Sequence, residues 1–196
     1  MSQMTYVSVP GDAEVWRSLG FTVSDGSLRV GGVVHRFGTE RMTWGFDELY
    51  ADVSSLGVPT EQVDAPDGTP PTHPNLIDRI DHVVYTVPSL DDAVDALTGV
   101  LGAEPRRRFN PRGPDGPEMA FYRVGDALIE VVGGKVDAPR LWGIAYICSD
   151  LDACAQAVRA AGGDIGDPKA AVQGGRIATV RSSPGGLPVA VMEPPR

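Results

Sequence analysis

Cysteine is scarce in this chain: there are two in 196 residues, Cys148 and Cys154. Two are too few for a disulfide framework, and their spacing is not that of a zinc site. A reducing, cytoplasmic setting is therefore expected, with both thiols as inert packing groups. Long apolar runs are absent too. No stretch reaches the roughly 18 residues of a membrane span, and the opening MSQMTYVSVPGDAEVW lacks the basic start and apolar core of a secretory signal. Basic clusters are few. Net charge is −9; residues 1–78 carry 11 acids against 4 bases and the remainder 15 against 13. Such a surface repels phosphate backbones, so neither nucleic acid nor a membrane is expected as a partner. No Gly-rich phosphate loop, G-x-S-x-G elbow or Cys–His pair near a helix start occurs. Histidine is limited to His35, His73 and His82.

What is present is an ordinary globular composition, 42% hydrophobic and 22% charged, and an internal repeat. RIDHVVYTV (79–87) and RLWGIAYIC (140–148) both read as strands. Each runs straight into a helix start, with Ser89 and Asp150 as N-caps and acids in the first turn. Leu90, Val94, Leu97 and Leu101 form a helical stripe, which Leu151, Ala155 and Val158 repeat at an offset of 61 residues. Gly102 and Gly163 are expected as the glycines that end the two helices. Three further strands follow each helix: 104–109, 118–124 and 127–132, then 168–172, 176–181 and 187–192. Each unit is βαβββ and cannot bury its sheet alone, so the two should pair around one core.

The expected fold is α+β, with paired βαβββ modules at 79–134 and 140–195 forming an open, cleft-containing mixed β-sheet barrel. Val58–Asn75, rich in proline, marks a linker over 58–78. Residues 1–57 read as a strand, a helix and two or three more strands. They are either a degenerate module or an unrelated αβ extension.

Two tandem βαβββ units, with "IDHVVYTVPSLDDA" opening the first and "GDALIEVVGG" closing it, resemble the vicinal oxygen chelate superfamily. That group holds glyoxalase I, bleomycin-resistance proteins, methylmalonyl-CoA epimerase and the extradiol dioxygenases. With "GGRIATVRS" near the end, the chain is similar to glyoxalase-like proteins of the group over about residues 79–195. The resemblance implies that each module offers its cleft one ligand from its first strand and one from its last. A divalent ion held there acts as a Lewis acid and a template, and needs three or four N/O donors.

His82 and Glu130 stand at those positions in the first module. A carboxylate in so apolar a strand is costly unless paired or coordinated. In the second module His82 maps to Gly143, and Glu130 to Ala190 or Val191. Neither is a ligand, and a slip in the alignment would be needed to bring Glu193 into place. Three readings follow: a metal-free cleft for a small organic molecule; a four-ligand site from two chains in a homodimer; or a His82–Glu130 hydrogen bond inside the core. The leading expectation is the small-molecule binder with no metal. The alternative is a metal-dependent lyase, isomerase or dioxygenase on His82 and Glu130, loaded with Ni, Fe, Mn or Zn.

Other cleft candidates come from strand alternation. Arg106 and Arg108 share one face, against Arg107 on the other; Arg112 completes this basic cluster, which reads first as a solvated face or an edge strand guarded by charge, and otherwise as a face for an anionic ligand. Of Phe121 and Tyr122 one should face the cleft, and Tyr122 is preferred. Gly143 gives a smooth wall, Trp142 and Tyr146 are expected under a helix, and His35 and His73 as surface or loop residues.

Overall fold

A computed structural model of the chain describes residues 2–111, 113, 116–172 and 174–194. Two open sheets lie back to back. The first contains β1 (Met4–Val9), β2 (Ser27–Val30), β3 (Val33–Phe37), β4 (Thr43–Phe46) and β5 (Thr60–Gln62), ordered β2-β3-β1-β4-β5. Helix α1 (Ala13–Ser18) follows β1, capped by the Asp12 carboxylate, which accepts from the backbone N–H groups of Glu14 and Val15.

The second sheet is built from β6 (Ile77–Val87), β7 (Arg107–Phe109), β8 (Met119–Val124), β9 (Ala127–Gly133), β10 (Arg140–Cys148), β11 (Lys169–Ala170), β12 (Arg176–Val180) and β13 (Val189–Glu193). Its order is β11-β12-β13-β10-β6-β9-β8-β7. Helices α2 (Leu90–Leu101) and α3 (Leu151–Ala160) follow β6 and β10. Ser89 and Asp150 cap them as expected, and Gly102 ends α2 at φ 60°. Each module is thus β, α, β, β, β, with its first strand parallel to its last: β6 to β9, and β10 to β13. The modules join where β6 and β10 run antiparallel at the centre. The sheet stays open and does not close into a barrel.

One connected apolar core runs through both sheets and all three helices. Its middle is aromatic. Trp44 of β4 lies 5.2 Å from Tyr85 of β6, and His35 of β3 stacks on Tyr146 of β10 at 5.8 Å. The Tyr85 hydroxyl donates to the Leu56 carbonyl.

Several expectations need correction. The stretch 58–78 is more than a connection: it supplies β5, and both His73 and Asn75 are buried. His73 accepts from the Thr22 backbone N–H and faces the Arg29 carbonyl; His35 is fully buried. Neither is a surface residue: His73 stands in a loop, as allowed for, but buried, and His35 stands in β3. Trp142 is 46% exposed rather than packed under a helix. Leu141 faces Tyr85 while Gly143 faces Val84, so Trp142 is the extra residue of a β-bulge, turned outward. Gly163 does not end α3 in a left-handed conformation; Gly162 does, at φ 98°.

Candidate functional site

The face of the eight-stranded sheet opposite its helices forms the floor of a cleft of about 920 Å³. That is within the usual range for small-molecule sites, about 300–1,000 Å³. Both ends of the sheet contribute: Arg107, Phe109 and Phe121 on one side, Lys169, Ile177 and Met192 on the other, with His82 and Glu130 from the centre.

A second bulge shapes the floor. Ala145 faces His82 and Tyr146 faces Ile80, so Asp81 is the extra residue of β6. The bulge turns Asp81 and His82 to the same side, and both line the cleft. Asp81 Oδ2 accepts from His82 Nδ1 at 2.7 Å. A carboxylate can only accept there, so Nδ1 carries the proton and Nε2 is left for the cleft. His82 Nε2 stands 3.9 Å from Glu130 Oε2, too far for a hydrogen bond. The parallel register sets this diagonal: His82 faces Leu128 and Val84 faces Glu130. Burial lowers the His82 pKa, but the Asp81 hydrogen bond and the charges of Glu130 and Asp81 outweigh it, leaving it above the ordinary 6.5.

The rest of the lining is cationic and apolar. Arg106, Arg107, Arg123 and Lys169 all line it. Arg123 lies 4.0 Å from the exposed Asp126; among the described residues, Arg106, Arg107 and Lys169 form no ion pair. Phe109 stacks on Phe121 with ring centres 5.5 Å apart, giving a flat apolar wall.

The structure brings His82, Glu130 and Arg106 together in this cleft but not the other candidates. Tyr122 lies on the opposite face, under α2, donating to the Val94 carbonyl and bonded to Thr98 Oγ1, both at 2.9 Å. Phe121 takes the place in the cleft expected of Tyr122. Arg108 is turned from it by Glu118 and Asp91, at 2.9 and 2.5 Å; Arg107 lines it instead. Gly143 is not among the lining residues: a Cβ there would lie 3.0 Å from the Pro188 carbonyl oxygen. Arg112 lies outside the described residues.

Glu193 faces the helix side. Arg176 opposite it donates to Glu193 Oε2, through Nε at 3.0 Å, and to Asp152 of α3 at 2.8 Å. It cannot serve the cleft. Nor can the first modules of two chains join edge to edge as a homodimer site would need, because β10 of the same chain occupies that edge of β6. The donor set can be tested against a divalent ion. His82 Nε2 and Glu130 Oε2 converge, and Asp81 holds the imidazole as a carboxylate holds a metal-ligating histidine. But Gly143 and Ala190 occupy the matching positions of the second module, and neither is a ligand. Among the described residues no group of three or more His, Cys, Asp or Glu is placed to hold an ion. Two donors do not make a resident metal site.

A profile of the Glyoxalase/Bleomycin resistance protein/Dioxygenase superfamily matches residues 81–179. Among solved structures, methylmalonyl-CoA epimerase from Mycobacterium tuberculosis is similar at 22% identity and a TM-score of 0.52, over 62% of this chain and 91% of that one. A hypothetical protein from Bacillus halodurans C-125 is similar at 18% identity and a TM-score of 0.51, over 60% and 95%. At these identities the likeness is one of fold. No curated protein sequence matches the chain. No helix among the described residues is long and apolar enough to cross a membrane.

Proposed function

Because the chain belongs to the glyoxalase/bleomycin resistance protein/dioxygenase superfamily, its cleft is the place where function is sought, and we propose that this cleft binds a small organic anion. The observation that carries the reading is the set of cations, Arg106, Arg107 and Lys169, that have no ion partner among the described residues, around an apolar wall. Arginine forks suit a ligand's carboxylate, sulfonate or phosphate. The ligand's flat apolar part lies on Phe109 and Phe121, and its far end meets His82 and Glu130. One fold hosts many chemistries, so this rests on the cleft and not on the family.

The test is calorimetric titration with a panel of aryl carboxylates, sulfonates and phosphates, beginning with anilinonaphthalene sulfonate. Arg107→Ala with Lys169→Ala is expected to weaken the best binder at least tenfold, and a neutral isostere is expected to bind no better than that variant. Equal binding of charged and neutral isosteres sinks the reading.

A second reading is favoured by one observation, the convergence of His82 Nε2 and Glu130 Oε2 with Asp81 behind the imidazole. It is a metal-dependent lyase, isomerase or dioxygenase whose remaining donors come from the ligand or from another chain. Elemental analysis after loading with Ni, Fe, Mn or Zn decides it. A stoichiometric ion lost in both His82→Ala and Glu130→Ala supports the enzyme; an ion kept in either removes it.

A further inference from the structure

The five-stranded sheet repeats the middle five strands of the eight-stranded one. Along β2, β3, β1, β4, β5 the pairings run antiparallel, parallel, antiparallel, parallel. Along β8, β9, β6, β10, β13 they run the same way. Helix α1 follows β1 as α2 follows β6. A 3₁₀ turn, Val53–Leu56, stands between β4 and β5 where α3 stands between β10 and β13.

The registers coincide residue by residue. Val7 faces Trp44 and His35; Val83 faces Ile144 and Ile129. Tyr6 faces Gly45 and Val34; His82 faces Ala145 and Leu128. Both first strands then carry one extra residue at the same step, Thr5 between Met4 and Tyr6, and Asp81 between Ile80 and His82. Shared topology alone does not require a shared bulge, which is a local feature of sequence and packing.

This register puts Tyr6 where the cleft has His82, and Arg36 where it has Glu130. The Arg36 guanidinium lies over the Tyr6 ring, 5.0 Å from its centre, a cation–π contact. Position 45 matches Ala145, and its glycine leaves room for three neighbours: a Cβ there would lie 3.0 Å from Val63 Cγ2 and 3.1 Å from both the Glu61 carbonyl oxygen and Tyr6 Cδ1. Counterparts of β7, β11 and β12 are missing from the described N-terminal residues, and with them the cleft walls. The face that is kept is the one carrying His35 and Trp44, which packs on Tyr146 and Tyr85.

We infer that residues 4–62 are a second copy of the whole paired-module sheet, not of one module, in which Tyr6 and Arg36 have replaced the histidine–carboxylate pair. The chain therefore carries one working cleft and one sealed copy, and the sealed copy braces β6 and β10, the strands under His82. The equivalence does not depend on what the cleft binds.

The test uses thermal unfolding of the full chain. Glycine weakens a strand, so Ala145→Gly alone lowers Tm. In a His82→Tyr, Glu130→Arg background the same Ala145→Gly is expected to raise Tm, because the new ring needs the space that Gly45 gives Tyr6. A fall in both backgrounds overturns the equivalence. Should that background not fold, Gly45→Ala is compared in the parent and in a Tyr6→His, Arg36→Glu variant. Its loss of Tm is expected to be smaller there, the part set by Val63 and the Glu61 carbonyl remaining; an undiminished loss overturns the inference equally.

Discussion

His35 Nε2 lies 3.0 Å from the hydroxyl of Tyr146, a residue 111 positions further along the chain. This contact ties the two sheets together in the core. His35 Nδ1 lies 3.2 Å from the Val33 carbonyl, which can only accept. The ring is therefore neutral with its proton on Nδ1, and Tyr146 donates to Nε2. Burial drives the His35 pKa from 6.5 down to about 3, opposed by the Val33 carbonyl and assisted by His73.

A pH dependence of stability follows. Between pH 6.5 and about 3 the unfolded chain holds a proton at His35 that the folded chain refuses. Stability from this group is complete above pH 6.5 and falls as pH drops through that window, by up to ~1.4 kcal/mol per pH unit. Urea unfolding at a series of pH values from 7 down to about 4.5 should show this slope, and His35→Gln should flatten it. Equal slopes in the two proteins would mean that some other group controls acid stability.

Two neighbouring aromatics should separate by function. Tyr122→Phe removes the bonds to Val94 and Thr98 under α2. It should cost about 1 kcal/mol of stability and leave anion binding unchanged. Phe121→Ala takes away half of the stacked wall, and should weaken binding of anilinonaphthalene sulfonate severalfold. Titration and melting of both variants check this; weakened binding in Tyr122→Phe would put the cleft on the wrong face.

The Phe121–Tyr122 pair also shows where sequence reasoning stops. Alternation divides the two residues between faces, but both are buried, and only the position of α2 decides which face is which. The module order was legible because two helices with their caps recur at one offset. The pairing of His82 with Glu130 came from the family resemblance, which implies one cleft residue on the first and one on the last strand of a module. Asp81 was missed, though the spacing of Ile77, Ile80, Val83 and Tyr85 carries the signal: the step from 80 to 83 breaks strict alternation, as a bulge does. His35 shares a face with Val33 in the burial pattern of β3, which an alternation reading of VVHRF would have found. The three residues of β5, set in a proline-rich stretch, have no such pattern. Glu193 failed as a ligand because it stands three residues beyond Ala190, and an odd step along a strand reverses the face.

His82 offers a titration with the opposite sign to His35. Its pKa is raised because the Asp81 hydrogen bond and the charges of Glu130 and Asp81 outweigh burial. Its contribution to stability is therefore full below pH 6.5 and is lost as pH rises through the raised value. In chelator-treated protein, Glu130→Gln and Asp81→Asn should each lower the His82 pKa, and together lower it further. The His82 ring proton followed by NMR reports this directly. No change in Glu130→Gln would mean that solvent screens the 3.9 Å contact.

The last turn after α3 gives a packing prediction. Gly162 has φ 98°, with open space where a Cβ would go. Alanine there pays only for the backbone conformation, about 1–2 kcal/mol. Gly163 has no such φ, but a Cβ on it would stand 2.6 Å from the Ser18 carbonyl oxygen and 2.9 Å from Val158 Cγ1. The oxygen belongs to the last residue of α1, so relief requires moving α1 against α3, not turning a side chain. Overpacking of this kind costs about 1–3 kcal/mol or more, and Gly163→Ala should be the more damaging of the two. Thermal melts of the single variants decide it. A larger loss in Gly162→Ala would mean that the helix terminus, rather than the close approach of the two sheets' helices, is what glycine serves there.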